Sequence, residues 1–345
     1  MTFDIARFQP KLWLDASDSS TRTIDTGVSQ LSDKSGNGNH LLQATGSLQP
    51  TVSAGEKNGL DMLKFDGTDD YLETAGAFAS TNLTVFVVYA KGGNVQRVLD
   101  TRGTGAFGTK PGWYIKNYNS LLGDVVAVDD AAGGYRGLAL GTTDYAGSYV
   151  IAFVTFDAIS STLTGRTFGG ITSYSLYSSG GDSISAANVS NPLTIGANYG
   201  GYDSQLFSGY FGEAIIFDGV VPDDTRNAIE GYLSDKWGIA LAPDHRLYDT
   251  KPEMVTVTAK NGSGALVSGR TVRGYRSDGE LVYDETTDNA GAALLVYEEG
   301  GFVTAHGESG KNDLIKSIIT DPVEFNWGDE PNNMGGINAI LLSTL

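Results

Sequence analysis

The sequence predicts an all-β chain: two stacked-sheet domains in series, the first covered by a single helix. Three observations lead there. Glycine, tyrosine and phenylalanine number 46, 17 and 14 of 345 residues, with no long block of good helix formers. Apolar residues come in short runs bounded by Gly, Asn, Asp and Ser, the pattern of strands and tight turns. One segment, residues 222–237, repeats convincingly at helical spacing, and it follows a short isoleucine-rich run.

In that segment Ile229, Tyr232, Leu233 and Trp237 share one face, while Arg226 and Glu230, one turn apart, read as its wet side. Pro222 suits the first turn, Asp223 and Asp224 set negative charge against exposed N–H groups, and Gly238 ends the helix. A single apolar stripe must lie on something. Residues 214–217, just before it, read as a strand inside a stacked-sheet core, so the unit is strand, tight turn and covering helix.

In chain order, residues 11–16 open as a strand and 17–26 read as a polar loop. Alternating Gly and Asn in 31–40 permit positive backbone angles, and Asp33 can tie that turn to its own backbone. Residues 62–72 alternate toward a second acidic turn, with Asp66, Asp69 and Asp70, and back into a strand. Residues 83–89 and 149–156 are core strands, and 112–117 alternate in and out. Residues 193–197 lead into Asn198-Tyr199-Gly200-Gly201-Tyr202-Asp203, a loop expected at the sandwich rim, and 207–217 supply the last strand.

Four of these stretches, in this order, carry a resemblance: Leu12-Trp13-Leu14-Asp15-Ala16, Asp33-Lys34-Ser35-Gly36-Asn37-Gly38-Asn39-His40, Phe65-Asp66-Gly67-Thr68-Asp69-Asp70-Tyr71-Leu72, and Gly212-Glu213-Ala214-Ile215-Ile216-Phe217-Asp218 with its helix. From about Lys11 to Gly238 the chain resembles the laminin-G-like, concanavalin-A-like jelly-roll superfamily, in the version found in bacterial secreted proteins and phage virion proteins. The resemblance implies the fold far more than the function, because this fold serves lectins, glycosidases, adhesins and structural modules.

Residues 1–243 are expected to form this jelly-roll domain, 244–252 a linker of prolines and charges with little to bury, and 253–345 a second domain. The latter has short strands separated by Asn261-Gly262, Ser277-Asp278-Gly279 and Thr287-Asp288-Asn289-Ala290-Gly291 turns, and resembles a small immunoglobulin-like or transthyretin-like sandwich. Its tail, 321–336, reads as polar and turn-rich before a last apolar run at 337–342.

The composition excludes several functions. Forty-one acidic against 23 basic residues, a net charge of −18, argue against binding nucleic acid through its phosphates. No apolar run is long enough to span a bilayer, so no membrane insertion is expected, and the N-terminus lacks the basic-then-apolar pattern of a classical export signal. Without cysteine there are neither disulfides nor thiolate metal sites.

Catalytic motifs are missing as well. No glutamate begins the Glu-x-Asp-x-x-Glu that glycosidases of the laminarinase type carry on one strand face. There is no Gly-x-Ser-x-Gly and no His-Glu-x-x-His, and His40, His245 and His306 lie in different segments. Residues 103–108 match a dinucleotide fingerprint, but Thr109-Lys110-Pro111-Gly112 follows where a helix is required.

Two constellations could bind. Asp33, Asn37 and Asn39 in one turn, and Asp66, Asp69 and Asp70 in another, offer the oxygen ligands calcium prefers, and jelly rolls of the resembled family often hold one structural calcium. The alternative is turn-forming Asp and Asn that fix their own backbones; no cofactor is required on either reading. Tyrosines beside glycine in loops, Tyr118, Tyr135, Tyr145, Tyr199 and Tyr202, could stack sugar rings. The best cluster is Tyr199 and Tyr202 with Asn198 and Asp203 as hydroxyl acceptors; the alternative is tyrosines that cover sheet edges.

The expected function is a non-catalytic phage virion surface protein: a capsid decoration, head-fibre or tail-associated protein whose partners are other virion proteins and a cell-surface glycan. Two alternatives stand beside it. One is a bacterial secreted or surface carbohydrate-binding module, which would be extracellular; the other is a glycoside hydrolase or lyase with an atypical carboxylate pair.

Overall fold

A computed structural model gives the architecture of the chain. It describes residues 4–80, 82–92, 96–102, 112–119, 123–129, 135–139, 147–157, 162–168, 191–198, 205–242, 245, 252–260, 263, 265–275, 281–288, 292–298, 302–305, 314–317 and 323–326. The chain divides into two compact units, one of Ile5–Thr250 and the other of Lys251–Leu345 together with Met1–Asp4.

The strands of the first unit begin with β1 Leu12–Asp15, β2 Arg22–Ile24, β3 Val28–Leu31, β4 Leu41–Leu42, β5 Thr51–Lys57 and β6 Leu60–Asp66. They continue with β7 Leu72–Thr74, β8 Leu83–Lys91, β9 Gln96–Asp100, β10 Gly112–Asn119 and β11 Gly123–Asp129. After β12 Tyr135–Ala139, β13 Tyr149–Asp157, β14 Thr162–Phe168, β15 Thr194–Ile195 and β16 Ser208–Asp218 comes the helix α1, Asp223–Trp237. One sheet is ordered β14-β13-β8-β16-β6-β5 with β1 also on β16, and the other β12-β11-β10-β9-β15-β7-β4-β3-β2. Neighbours in space are often distant in sequence, and the unit is an all-β jelly-roll sandwich with one helix.

Between the sheets, Val85, Val87 and Tyr89 of β8, Ala152, Val154 and Phe156 of β13, and Ala214 and Ile216 of β16 join Leu72, Leu99, Ile115 and Ile195 in one core. The central strands of the first sheet are apolar on their other face too. Phe86, Val88, Phe153, Ile215 and Phe217 are all buried, with the Phe86 ring 5.3 Å from Phe153 and 6.3 Å from Phe217. Burial on both faces is why 83–89 and 149–156 read as unbroken apolar runs.

The helix supplies part of that outer cover. Ile229, Leu233 and Trp237 are fully buried, Pro222 stands at its N-cap, and Gly238 closes it in the left-handed conformation at φ 58°. Gly212 permits the fit, because a Cβ there would lie 2.9 Å from Trp237 Cη2 and from Met62 Cε.

Glu230 corrects the expected wet side of the helix. It is fully buried, with Oε2 2.8 Å from Nε2 of His245. His245 is itself buried, edge-on to Phe168 at 5.4 Å, although its segment reads as linker. Beyond Gly238 the chain buries Ile239, Leu241 and Ala242, and so covers a flank that an apolar-stripe count leaves bare. The loop expected at 17–26 also contains β2, and β5, β9 and β14 were not anticipated.

The second unit comprises β17 Pro252–Lys260, β18 Thr271–Tyr275, β19 Leu281–Thr286, β20 Ala292–Glu298, β21 Phe302–Ala305, β22 Leu314–Ser317 and β23 Val323–Asn326. They form two sheets, β20-β17-β23 and β19-β18-β21-β22. The tail 321–336, expected to be turn-rich, contributes β23, which pairs in parallel with β17. Four residues of alternation are too few to stand out among polar neighbours. The run 337–342 and His306 lie outside the described residues.

Candidate functional site

The residues that carry the resemblance converge under α1. Asp15 and Glu213 face each other directly across the β1–β16 pair, and both are buried, at 4% and 0% exposure. Two carboxylates opposed in this way repel unless a cation stands between them. Lys236, in the last turn of α1, reaches Glu213 Oε2 at 2.7 Å and Asp15 Oδ1 at 2.9 Å. Glu213 also accepts from Trp13 Nε1 at 2.8 Å, Tyr232 OH at 2.9 Å and Trp237 Nε1 at 2.8 Å.

Lys34 extends the network, bonding Asp15 at 3.0 Å and Asp18 at 2.9 Å while lying 4.3 Å from the Trp13 ring centre. Burial pushes the Glu213 carboxyl up against the pull of Lys236, and Asp15 adds to the rise. For Asp15, burial is outweighed by Lys236, Ser17 and Lys34, and its carboxyl stays low. Each carboxylate has donors on both oxygens, so the arrangement is a closed structural network.

The predicted binding residues separate. Asp33 spends its oxygens on backbone N–H groups, Oδ1 on Trp13 and Ser35 and Oδ2 on Asn39. Asn37 and Asn39 donate their side-chain amides to the carbonyl of Lys11. That turn is tied to its own backbone and to the segment before β1. Asp66, Asp69 and Asp70 do come together, one oxygen of each within 4.8 Å of the others. Even so, Asp66 Oδ1 accepts from Thr68 N and Asp69 N, and Asp70 Oδ2 accepts from Asp66 N. Burial pushes Asp70 up to about 6, with the charges of Asp66 and Asp69 adding to it.

Of the predicted sugar shelf, Asn198 is described, while Tyr199, Tyr202 and Asp203 lie outside the described residues, as do the side chains of Tyr118, Tyr135 and Tyr145. Asn198 is 3% exposed, and its Oδ1 has no hydrogen-bond partner among the described residues. A buried acceptor left open is costly in a finished core.

A second feature was not foreseen. On the second sheet, Ile115, Leu99, Ile195 and Leu72 form one row pointing into the core. The adjacent row, Tyr114, Asp100, Thr194 and Glu73, therefore points to the opposite face. A sandwich's outer sheet face is usually wet, yet Tyr114, Asp100 and Thr194 are all at 0% exposure. Arg97 Nη1 lies 2.6 Å from Asp100 Oδ2, and the Arg102 backbone N–H donates to Asp100 Oδ1 at 2.6 Å. The Arg102 guanidinium stacks on Tyr114 at 3.9 Å, with Arg97 at 5.2 Å and Lys116 at 5.3 Å from the same ring. Thr194 Oγ1 has no hydrogen-bond partner among the described residues.

Sequence reasoning passed over this face because it lies on short strands, and a register shift in the β9–β10 pair hides the period of two. The visible signal was Gln96-Arg97-Val98-Leu99-Asp100-Thr101-Arg102, an unusual concentration of charge around a strand in so acidic a chain.

No protein-family model and no curated protein sequence matches the chain. Solved structures do align with it. The CBM40 of the Ruminococcus gnavus IT-sialidase, bound to alpha2,6 sialyllactose, is 13% identical with a TM-score of 0.36, over 48% of this chain and 93% of that one. Domain 4 of AbnA, a GH43 extracellular arabinanase from Geobacillus stearothermophilus in complex with arabinotriose, is 12% identical with a TM-score of 0.41, over 62% and 94%. The binding domain of botulinum neurotoxin DC, in complex with SialylT, is 11% identical with a TM-score of 0.47, over 92% and 87%. Identities and scores this low assign the chain to no family.

Proposed function

We propose that this is a non-catalytic glycan-recognition protein, displayed on a phage virion as a capsid decoration, head-fibre or tail-associated component. The observation that carries glycan recognition is the outward face of the second sheet, where the buried hydroxyl of Thr194 has no hydrogen-bond partner among the described residues. Protein polar groups removed from water are normally paired, and a sugar's hydroxyls are suited to pair such groups. The virion location rests on the resemblance carried by residues 11–238 alone. An extracellular bacterial module would present the same chemistry.

A glycan array with the full chain, followed by titration calorimetry of the hits, tests recognition. Binding that weakens in Thr194→Val, and in Tyr199→Ala with Tyr202→Ala, is the expected result. Retention of every hit by all these variants would remove both candidate surfaces, and steady release of reducing ends from a bound polysaccharide would overturn the non-catalytic assignment. Immunogold labelling of purified particles tests the location.

A further inference from the structure

Resting on that reading, we infer that three side-chain amides, Gln96, Asn198 and Gln205, form a subsite for an uncharged sugar bearing adjacent hydroxyls. The first ground is position. The β9–β15 pairing continues past Ile195 through the Gly196 N–H, which donates to the Val98 carbonyl at 3.3 Å. Gly196 then turns the chain at φ 94°, where a Cβ would lie 2.7 Å from the Phe65 ring. Its carbonyl accepts from the Phe207 N–H at 2.8 Å, and the Gln205 carbonyl accepts from the Arg97 N–H at 3.0 Å. Three backbone segments are thereby held side by side, and each brings one carboxamide: Gln96 at the start of β9, Asn198 just after Gly196, and Gln205 just before Phe207.

The second ground is unmet hydrogen bonding. Gln96 Oε1, Asn198 Oδ1 and Gln205 Oε1 are all withdrawn from water and have no hydrogen-bond partner among the described residues. Gln96 and Asn198 are deeply buried, while half-buried Gln205 leaves the group reachable from solvent. Amides that serve the fold at the same depth are paired. Gln49 Oε1 accepts from the Gly27 N–H at 2.8 Å and its Nε2 donates to the Gln43 carbonyl at 2.8 Å. Gln43 in turn accepts from the Thr45 N–H at 3.0 Å and donates to the Tyr71 carbonyl at 3.3 Å. Against that standard, three open amide oxygens on adjoining segments are a cost the fold alone does not explain.

The third ground is chemistry. A carboxamide sets an acceptor beside two donors and carries no charge, which matches a pair of adjacent hydroxyls, each able to give and to take a hydrogen bond. The neighbouring cation is engaged, with Arg97 Nη1 2.6 Å from Asp100 Oδ2, and a net charge of −18 repels acidic glycans at long range. A divalent cation also takes oxygen ligands, but its protein sites draw on carboxylates, whereas the three side chains here are neutral.

The test is a glycan array with the intact chain that carries cellotetraose, mannotetraose and galactotetraose beside oligogalacturonide and sialyllactose, read at low and at high salt. At least one neutral oligosaccharide is expected to bind, with a signal that salt leaves unchanged. Gln96→Met and Asn198→Leu are each expected to weaken that hit about tenfold in titration calorimetry, roughly the worth of one hydrogen bond. The melting midpoint of each free variant is expected to hold or rise, because an open buried amide gives way to an apolar side chain of similar size. A lowered midpoint or an unchanged affinity in both variants would overturn this subsite and leave glycan recognition standing. Binding confined to oligogalacturonide and sialyllactose would overturn the uncharged class, and that comparison needs no variant. A midpoint raised by calcium chloride alone in the native chain but not in Asn198→Leu would overturn the sugar in favour of a cation. An empty array would overturn the glycan reading itself.

Discussion

Replacing Lys236 with methionine keeps the length of the side chain and removes the charge that two buried carboxylates share. In the native unit its ammonium lies 2.7 Å from Glu213 and 2.9 Å from Asp15, which are themselves cross-strand neighbours. Without it, two like charges face each other away from water, and breaking a buried pair in this way costs about 3–5 kcal/mol. For a unit of this size that corresponds to a fall of about 6–20 °C in the melting midpoint. Tryptophan fluorescence in urea reports the loss, because Trp13 and Trp237 both donate to Glu213.

The pH dependence supplies an internal control on that variant. Glu213 is already held above its ordinary value by burial, so in the native state it takes up a proton at a pH where the unfolded chain has not. A carboxyl raised in this way gains stability as pH falls through its folded pKa. Losing Lys236 raises it further, so the deficit of Lys236→Met should shrink from pH 7 toward pH 5. Adding Glu213→Gln should recover at least about 1 kcal/mol at neutral pH, since one of the two opposed charges is gone. A loss below about 1 kcal/mol, or a double variant no more stable than the single one, would mean the site is solvated and the network is not what holds α1 down.

Other outcomes are expected from neighbouring features. Gly212→Ala places a Cβ 2.9 Å from Trp237 and should cost about 1–3 kcal/mol in the same melts, whereas a neutral result would show that the tryptophan has room to move. Asp18 is held down to about 2 from 3.8 by the Ser20 hydroxyl and Lys34, so its contribution is present above the unfolded value and disappears as pH falls through the folded one. Lys34→Met should therefore raise the pH of acid unfolding, and an unchanged midpoint would mean the pair is screened. Calcium, if it is taken up at Asp66, Asp69 and Asp70, should raise the thermal midpoint of chelator-treated protein but not of Asp69→Asn. Equal shifts in both would place the ion elsewhere, and no shift would leave a turn closed by its own hydrogen bonds.

Much of the first unit was legible because its signals are local. Pro222, the Ile229-Leu233-Trp237 spacing and Gly238 define a helix within one segment, and the doubly buried strands announce themselves as apolar runs. Glu230 was misread for the opposite reason: its partner His245 lies beyond the helix, and a return of the chain leaves no mark in helical periodicity. The Asp33 turn was half legible. Its residues do fix their own backbone, but the acceptor of the Asn37 and Asn39 amides is the Lys11 carbonyl, more than 25 positions earlier. Cross-strand rows such as Tyr114, Asp100, Thr194 and Glu73 depend on register between distant segments, which no window of sequence contains.

The two polar clusters of the jelly roll invite opposite interpretations, and the difference lies in how completely each is paired. Around Glu213 every carboxylate oxygen meets a donor, three of the donors being ring or phenol groups that also pack, and the result locks a helix to a sheet. Such closure has no use for a ligand. Around Asp100 the groups are as deeply buried, but the hydroxyl of Thr194 has no hydrogen-bond partner among the described residues. Stability alone does not account for an open hydroxyl there, because a buried polar group left unpaired costs more than a valine in its place would. Substitutions should therefore separate the two clusters: at Glu213 and Lys236 they should lower the melting midpoint, whereas Thr194→Val should lower affinity for a bound glycan with little change in melting. If Thr194→Val left the affinity of every glycan hit unchanged, the second cluster would be structural too, and recognition would have to be sought away from the sheet face.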